Sequence, residues 1–374
     1  MRKNILILAH SYGLPFIESC NQYTQLFDSR HYDVTVAYLA GQPDEHIRQK
    51  TLAQNVLFLG CKKSSIRGLK IAAIYKVLQL CRKKRFAMVI CHRYKPTYIM
   101  LWVAQFYKIP ALICVMHAMG TMQSVWRRLF ITALAKKTTL FAGVSNAVRD
   151  DMRDHLRSMS PDRIITLYNT IDYPLFEPRL LSRVEARQQL NLPEDSLVFG
   201  HIGRLAPEKD QATLISAFSQ VADQYPQAKL IIIGPGDLEA TLKQQAAALG
   251  LQDRVILTGY IADGFRLMKA FDAFVLSSIK ESFGRVLLEA MVARVPVIAT
   301  KTDGIPEVVG DAGFLVEARQ PEKLAATMLL VLNTPATELT QLGEKGYQRM
   351  LSHFSVESIK KYFWQLPLLA RLTA

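Results

Sequence analysis

Short apolar runs alternate with helical stretches along the whole chain, and that alternation fixes the class of fold. The runs cover residues 4–10, 34–38, 55–59, 87–92, 111–117, 141–145 and 164–169. After a break they resume at 197–203, 229–233, 254–257, 273–276, 296–300 and 314–316. Such alternation builds βαβ units and parallel sheets. The break at residues 169–178 carries Asp172, Pro174 and Pro178 and reads as a linker. Helices are predicted at 20–27 (after a loop at 11–18), 97–107, 182–190, 211–225 and 321–332, with a helical tail from 355 to about 372. At 374 residues two domains are the natural number. The expected fold class is α/β, two Rossmann-like domains facing across a cleft. The boundaries are 1–172 for the first domain, 173–194 for the linker and first helix of the second, 195–352 for the second domain, and 353–374 for a C-terminal helix crossing back to the first.

Charge separates the halves. Residues 1–172 hold 25 Lys and Arg against 10 Asp and Glu, a net +15, and the remainder hold 21 against 22. A basic first half predicts an anionic partner: a membrane surface, a phosphorylated acceptor or nucleic acid. Residues 62–85 combine helical spacing of Ile71, Ile74, Tyr75, Leu78 and Cys81 or Arg82 with basic flanks, and a second basic amphipathic helix begins at Trp126. The stripe at 71–82 is read as packing on the sheet, the basic residues as facing a membrane or acceptor. The apolar run at the start of the chain is only five residues long and reads as a first strand, not a signal peptide. Residues 109–126 are weakly charged but broken by Pro110, His117 and Gly120, so a protein without a membrane span is expected. Five cysteines without metal-ligand spacing read as buried thiols in a reducing compartment.

The chemistry concentrates in the second half. Gly203-Arg204, with Lys209 five residues on, puts two cations at the carboxyl end of a strand, where they would clamp a diphosphate. The stretch Glu281-Ser-Phe283-Gly284-Arg285-Val286-Leu-Leu-Glu289 reads as loop then helix. Gly284 permits a close turn, and the amides of Gly284, Arg285 and Val286 would form an anion site at the helix start. Glu281 and Glu289 would line one cleft beside it. Carboxylates next to a phosphate site suit a ligand with hydroxyls near its phosphates, such as a nucleotide sugar. In the first half, His117 stands at the carboxyl end of its strand, where parallel sheets bind ligands.

These motifs occur in one order: Gly203-Arg204 with Lys209, Gly234-x-Gly236, residues 255–259, Glu281-x7-Glu289, Pro296-Val297-Ile298-Ala299 and Gly304-Ile305-Pro306-Glu307. In that order they resemble the retaining GT-B glycosyltransferases of glycosyltransferase family four, over residues 199–332. Val144-Ser145 with Arg149, and Asn169-Thr170-Ile171-Asp172, resemble the same family; the rest of the first half is only weakly similar. The resemblance implies that Arg204 and Lys209 neutralise the donor diphosphate, that Glu289 holds the ribose and that Glu281 contacts the sugar. It implies that Phe283, Gly284 and Arg285 present amides and that the segment at Tyr260 lies against the base. His117 would stand near the reacting sugar, and the loop at Tyr12-Gly13 would approach the phosphates and acceptor. The first domain would bind the acceptor. The sequence departs from the family in lacking paired glycines at the first loop, and in having Asp303 and Arg294 where glycines are usual.

The function implied is retaining, metal-independent transfer of a sugar from a nucleoside diphosphate sugar to a glycan or lipid-linked acceptor, in lipopolysaccharide, capsule or exopolysaccharide assembly. It needs no cofactor, and no Asp-x-Asp motif is present. The expected location is cytoplasmic, peripheral at the inner face of the cell membrane. Two alternatives stand beside it: a nucleotide-sugar epimerase of the same fold, and a nucleic-acid-binding protein. The basic residues are not interleaved with a nucleic-acid-binding motif, so no nucleic-acid partner is expected.

Overall fold

The computed structural model describes residues 2–62 and 68–370, the side chains of Leu14 and Pro15 excepted. Residues 63–67 of the basic stretch and the end of the predicted tail lie outside the described residues. The chain forms two compact units, Met1–Thr170 with Val356–Ala374, and Ile171–Ser355.

The first unit is built on seven parallel strands: β1 Lys3–Ala9, β2 Tyr32–Tyr38, β3 Asn55–Phe58, β4 Met88–His92, β5 Ala111–Met116, β6 Thr139–Gly143 and β7 Ile164–Thr166. Their spatial order is β3-β2-β1-β4-β5-β6-β7. Ile5 is registered with Val34 on one side and Met88 on the other. The central strands are buried on both faces, which is why they read as continuous apolar runs rather than alternating ones. The order reverses direction between β1 and β4, so the crevice at their carboxyl ends is where this architecture binds ligands.

The second unit has six parallel strands: β8 Leu197–Ile202, β9 Ala228–Ile233, β10 Val255–Gly259, β11 Ala273–Leu276, β12 Val297–Thr300 and β13 Phe314–Val316. Their order is β10-β9-β8-β11-β12-β13, with the reversal between β8 and β11. Phe199, Leu214, Phe218, Leu230 and Met328 pack the layer between this sheet and the helices Gln211–Gln224 and Pro321–Asn333.

Several sequence expectations need correction. The first helix spans Leu14–Thr24, not 20–27, because Pro15 falls in its first turn, where a missing N–H costs no hydrogen bond. The last strand of the first unit stops at Thr166. The Gly304-Ile305-Pro306-Glu307 motif turns at its glycine and starts a short helix, Ile305–Val309. In the helix Ile71–Lys84 the buried face is Ala73, Val77 and Cys81, while Ile71 and Tyr75 stand exposed. Helix Ala336–Phe354 was not expected at all. Gly343 and Gly346 obscure it in the sequence, yet both are contact points. A Cβ on Gly343 would lie 2.2 Å from the Arg294 carbonyl oxygen, and one on Gly346 3.3 Å from the Met291 side chain. Among the described residues the tail helix spans Val356–Trp364. It packs in the first unit, where Trp364 Nε1 donates to the Leu26 carbonyl at 2.9 Å and the Trp364 ring stacks on Tyr32.

Candidate functional site

In the second unit the reversal point places the loop after β8 beside the loop after β11. Backbone contacts fix both. The Gly203 N–H donates to the Ile233 carbonyl and the Leu205 N–H to the Pro235 carbonyl, each at 2.9 Å. A Cβ on Gly234 would sit 2.1 Å from the Gly203 oxygen and one on Gly236 2.2 Å from the Leu205 oxygen. Gly234-x-Gly236 is therefore a close-approach device that seats the loop carrying Arg204.

The loop after β11 is tied in the same way. Ser277 Oγ donates to the Lys209 carbonyl, and the Ile279 N–H donates to the Glu208 carbonyl, both at 2.9 Å. From the other side the Gly304 N–H donates to the Glu281 carbonyl at 3.0 Å, and the Glu281 N–H donates to Asp303 Oδ2 at 2.9 Å. A Cβ on Gly304 would lie 2.3 Å from the Ser282 oxygen.

Into this frame the side chains are set. Lys209, at the end of the short 3-10 turn Pro207–Lys209, forms an ion pair with Glu281. Arg204 is paired with Glu208, and its guanidinium arm is 68% exposed. The Glu208 carboxyl is held below its ordinary value, first by its own backbone N–H and then, against the opposing effect of burial, by Arg204. Gly284 caps the helix Arg285–Val292 with φ 85°, a left-handed conformation that suits glycine. Arg285, Val286 and Glu289 lie on the partly exposed face of that helix, with Leu287 and Leu288 buried behind. The start of the helix carries the positive end of its dipole. The Phe283 ring is buried edge-on against Phe354, so only its backbone is available to a ligand. Tyr260 follows β10 and is 66% exposed.

Two residues that the sequence reading passed over support this frame. His201 is fully buried; its Nδ1 lies 2.9 Å from the Val275 carbonyl oxygen and its Nε2 3.2 Å from Gln211 Nε2. Gln211 Nε2 also donates to the Arg204 carbonyl at 2.9 Å. A carbonyl can only accept, so the His201 proton is on Nδ1 and Nε2 accepts from the amide. Burial depresses the His201 imidazole to about 4; the Val275 hydrogen bond opposes this and Lys209 adds to it. A buried His within an apolar strand carries no sequence signature of this role.

The remaining candidates belong to the first unit. His117 directly follows β5, and its Nε2 lies 3.0 Å from His92 Nδ1 at the end of β4. His10, after β1, has Nε2 3.3 Å from Lys95 Nζ. Its imidazole is pushed down by burial, then by Lys95 and Arg93. The Tyr12 ring packs edge-on against Tyr38 and Phe58 and over Gly41. Gly13 precedes the first helix with φ −56°, so no left-handed turn is made there. Among the described residues, no group of three His, Cys, Asp or Glu is placed to hold a metal ion. No helix there is long and apolar enough to cross a membrane. All five cysteines are buried free thiols.

Comparison with known proteins places both halves of the chain. Residues 182–349 match the family model "Glycosyl transferases group 1", and residues 21–173 match "Glycosyltransferase Family 4". The chain is 31% identical over 198 residues to the N-acetyl-alpha-D-glucosaminyl L-malate synthase of Bacillus anthracis, covering 52% of this chain and 51% of that one. It is 30% identical over 182 residues to a lipopolysaccharide core biosynthesis glycosyltransferase of Rhizobium meliloti, covering 48% and 52%. These matches span about half the length of the curated relatives. In fold it is similar to the Anabaena protein HepE, solved in complex with UDP, with a TM-score of 0.81 and 23% identity over 97% of this chain and 98% of that one.

Proposed function

Because this chain belongs to the group 1 glycosyl transferases, of GT-B fold with two Rossmann-like domains, we propose that it moves a sugar from a nucleoside diphosphate sugar to a glycan or lipid-linked acceptor with retained anomeric configuration. The observation that carries this reading is the assembly of Arg204, the Lys209–Glu281 pair and the Gly284-capped helix start around one strand-reversal point. Cations and helix-terminal amides there suit a leaving diphosphate, and charge stabilisation of the leaving group is the main catalytic effect asked of the protein. The bond between the anomeric carbon and the phosphate oxygen breaks, its electron pair going to the diphosphate. The acceptor oxygen bonds to the same face of that carbon, and its proton passes to a leaving phosphate oxygen. Glu289 holds the ribose hydroxyls, Tyr260 lies against the base, and Glu281 and His117 contact the sugar. The chain's own cations serve the diphosphate in place of a divalent metal.

UDP is the first nucleotide to test, given the UDP complex of the structurally similar Anabaena protein. Saturable binding and slow hydrolysis are expected for one of the UDP-, GDP- or ADP-sugars. Failure to bind any of the three removes the assignment.

The acceptor is assigned to a membrane-associated glycan of the lipopolysaccharide, capsule or exopolysaccharide kind, with the protein peripheral at the cytoplasmic face. Residues 46–149 contain 19 Lys and Arg and no Asp or Glu. Lys70 Nζ sits 3.9 Å over the Tyr98 ring, which stacks on Phe130 at 4.3 Å. That chain of contacts links Lys70, which precedes helix Ile71–Lys84, to Phe130 in the middle of helix Val125–Leu134, and Leu69, Ile71, Tyr75, Trp126 and Leu129 on or beside these helices are exposed. Apolar side chains in a segment rich in cations suit an anionic lipid surface. Equal binding to anionic and neutral vesicles at low salt would overturn this part.

A further inference from the structure

We propose that the first unit holds a phosphate-binding subsite of its own, formed by Lys70, Arg93, Lys95 and Arg127 at the starts of neighbouring helices, and that it takes a phosphate or diphosphate group carried by the sugar acceptor. Assigning that group to an acceptor rests on the glycosyltransferase reading; the phosphate site itself rests on the first unit alone.

Each cation stands at a helix start. Lys70 precedes helix Ile71–Lys84, Arg93 precedes and Lys95 opens helix Tyr94–Phe106, and Arg127 lies in the first turn of helix Val125–Leu134. None of these first turns holds an acidic residue, and at none does the capping side chain accept from the helix amides. A helix start carries the positive end of its dipole and favours an anion, so cations there are unfavourable.

Side-chain contacts draw the cations together. Arg127 Cζ lies 4.6 Å over the Tyr94 ring and Lys70 Nζ 3.9 Å over the Tyr98 ring, and the two rings are 6.2 Å apart. Lys95 Nζ lies 3.3 Å from His10 Nε2. Arg93 Cζ rests 4.6 Å over the Phe16 ring, which is 6.1 Å from the ring of His10. The Lys70 ammonium is held below its ordinary value by burial, then by Lys95 and Arg127, so the charges act on one another.

The backbone adds a second mark. Arg93 directly follows β4, at the strand reversal between β1 and β4, with φ 70° and ψ 172°, a region open in practice to glycine alone. Lys70 is also left-handed, at φ 58°. Glycine would occupy either position without strain, yet each carries a long cationic side chain. Backbone strain, cations at helix starts and like charges side by side are costs borne in one place, and such coincidences mark functional sites.

Among the described residues none of these cations forms an ion pair, and the stretch 46–149 that contains them has no Asp or Glu. A multiply charged anion offsets the repulsion and suits the helix starts. Phosphate fits, since guanidinium groups bind its oxygens bidentately and ammonium groups act on it as point charges. In the reading above, Arg204 and Lys209 of the second unit hold the donor diphosphate, so the phosphate received here belongs to the acceptor.

The test is lysine acetylation of the full chain, read by mass spectrometry, with inorganic pyrophosphate as the probe. Pyrophosphate should slow modification of Lys70 and Lys95 about tenfold and leave the exposed Lys83 and Lys108 of the same unit unchanged. Arg93→Gly, which suits the backbone at that position, should fold as wild type and lose the protection of Lys95; Arg127→Gln should lose that of Lys70. Equal protection at all these lysines, no protection, or protection retained in folded Arg93→Gly overturns the proposal. Protection by phosphatidylglycerol vesicles and not by pyrophosphate also overturns it, and makes the cluster a lipid-surface contact. Where transfer is observed, Arg93→Gly should raise acceptor KM about tenfold with donor KM unchanged; the reverse pattern removes the assignment to the acceptor. Protection at Lys70 and Lys95 without transfer from any nucleotide sugar leaves the phosphate site standing and the glycosyltransferase reading fallen.

Discussion

The Lys209 ammonium and the Glu281 carboxylate form an ion pair with each side chain less than one-fifth exposed (19% and 16%). One residue ends the turn after β8 and the other lies in the loop after β11, so the pair joins the two loops that frame the site. Removing either partner leaves a charge in a poorly hydrated position, which costs more than the pair itself contributes.

Lys209→Met and Glu281→Gln should each lower stability by about 1–3 kcal/mol, and each should cut transfer at least a hundredfold. The double variant should regain part of the stability and none of the activity. A double-mutant cycle by chemical denaturation, run beside an assay of sugar transfer, measures both. Near-wild-type transfer by either purified single variant would refute the site.

Asp303 has φ 42°, and Arg294, the other residue standing where the family has glycine, has φ 57°. Both lie in the left-handed region, where a side chain costs roughly 1–2 kcal/mol. Asp303 offsets that cost by accepting from the Glu281 N–H. Asp303→Gly should therefore keep thermal stability close to wild type, while Asp303→Ala, which loses the hydrogen bond and keeps the strain, should fall below it by about 1–2 kcal/mol. Asp303→Asn should retain donor KM, and the glycine variant should raise it severalfold. Equal melting temperatures for the glycine and alanine variants would count against this account.

His201 and His92 are held at about 4 and about 3 by burial, against 6.5 for the ordinary side chain. Between those values the unfolded chain binds more protons than the folded one, so stability rises with pH there. The contribution is fully present above pH 6.5 and is lost as pH falls towards 4 and 3. At pH 5 each histidine should have cost about 2 kcal/mol relative to pH 7.5. Denaturation midpoints at the two pH values test this. His201→Gln should show a smaller fall than wild type, and an identical fall would exclude His201 as a contributor.

Trp126, 81% exposed, and Arg128 on the same helix are placed to meet a lipid surface. Trp126→Ser with Arg128→Gln should weaken binding to anionic vesicles by about tenfold and leave thermal stability unchanged. Vesicle co-sedimentation at low and high salt reads the effect, and unaltered binding would remove this helix from the interface.

The strands were legible because parallel sheets buried on both faces leave uninterrupted apolar runs, as at Ile5–Leu8 and Phe274–Leu276. Spacing and family resemblance single out Arg204, Lys209, Glu281 and Glu289 as candidates, and the fold brings the loops that carry Arg204, Lys209 and Glu281 together after β8 and β11. The helix Ala336–Phe354 was not, because its two glycines signal a breaker locally and make sense only against Arg294 and Met291, some fifty residues away. In the stripe of Ile71–Lys84 the sequence points to Cys81 correctly but to Ile71 and Tyr75 in place of Ala73 and Val77, because the larger side chains outweigh the smaller ones that the helix buries. His201 and Gln211 were invisible for a different reason: their roles depend on which atoms they face across neighbouring strands and loops, and one-dimensional spacing does not encode that.

The loops around Arg204 and Glu281 are held chiefly by main-chain hydrogen bonds and by glycines that admit backbone against backbone. A pocket stitched in this manner does not depend on its exposed side chains for its shape. Substitutions at Tyr260 or Val286 can accumulate without loosening the frame, so a new donor preference can arise in small steps from an intact scaffold. Residue pairs such as Lys209 and Glu281 lack that freedom, and the record of past change in this molecule should be written around them.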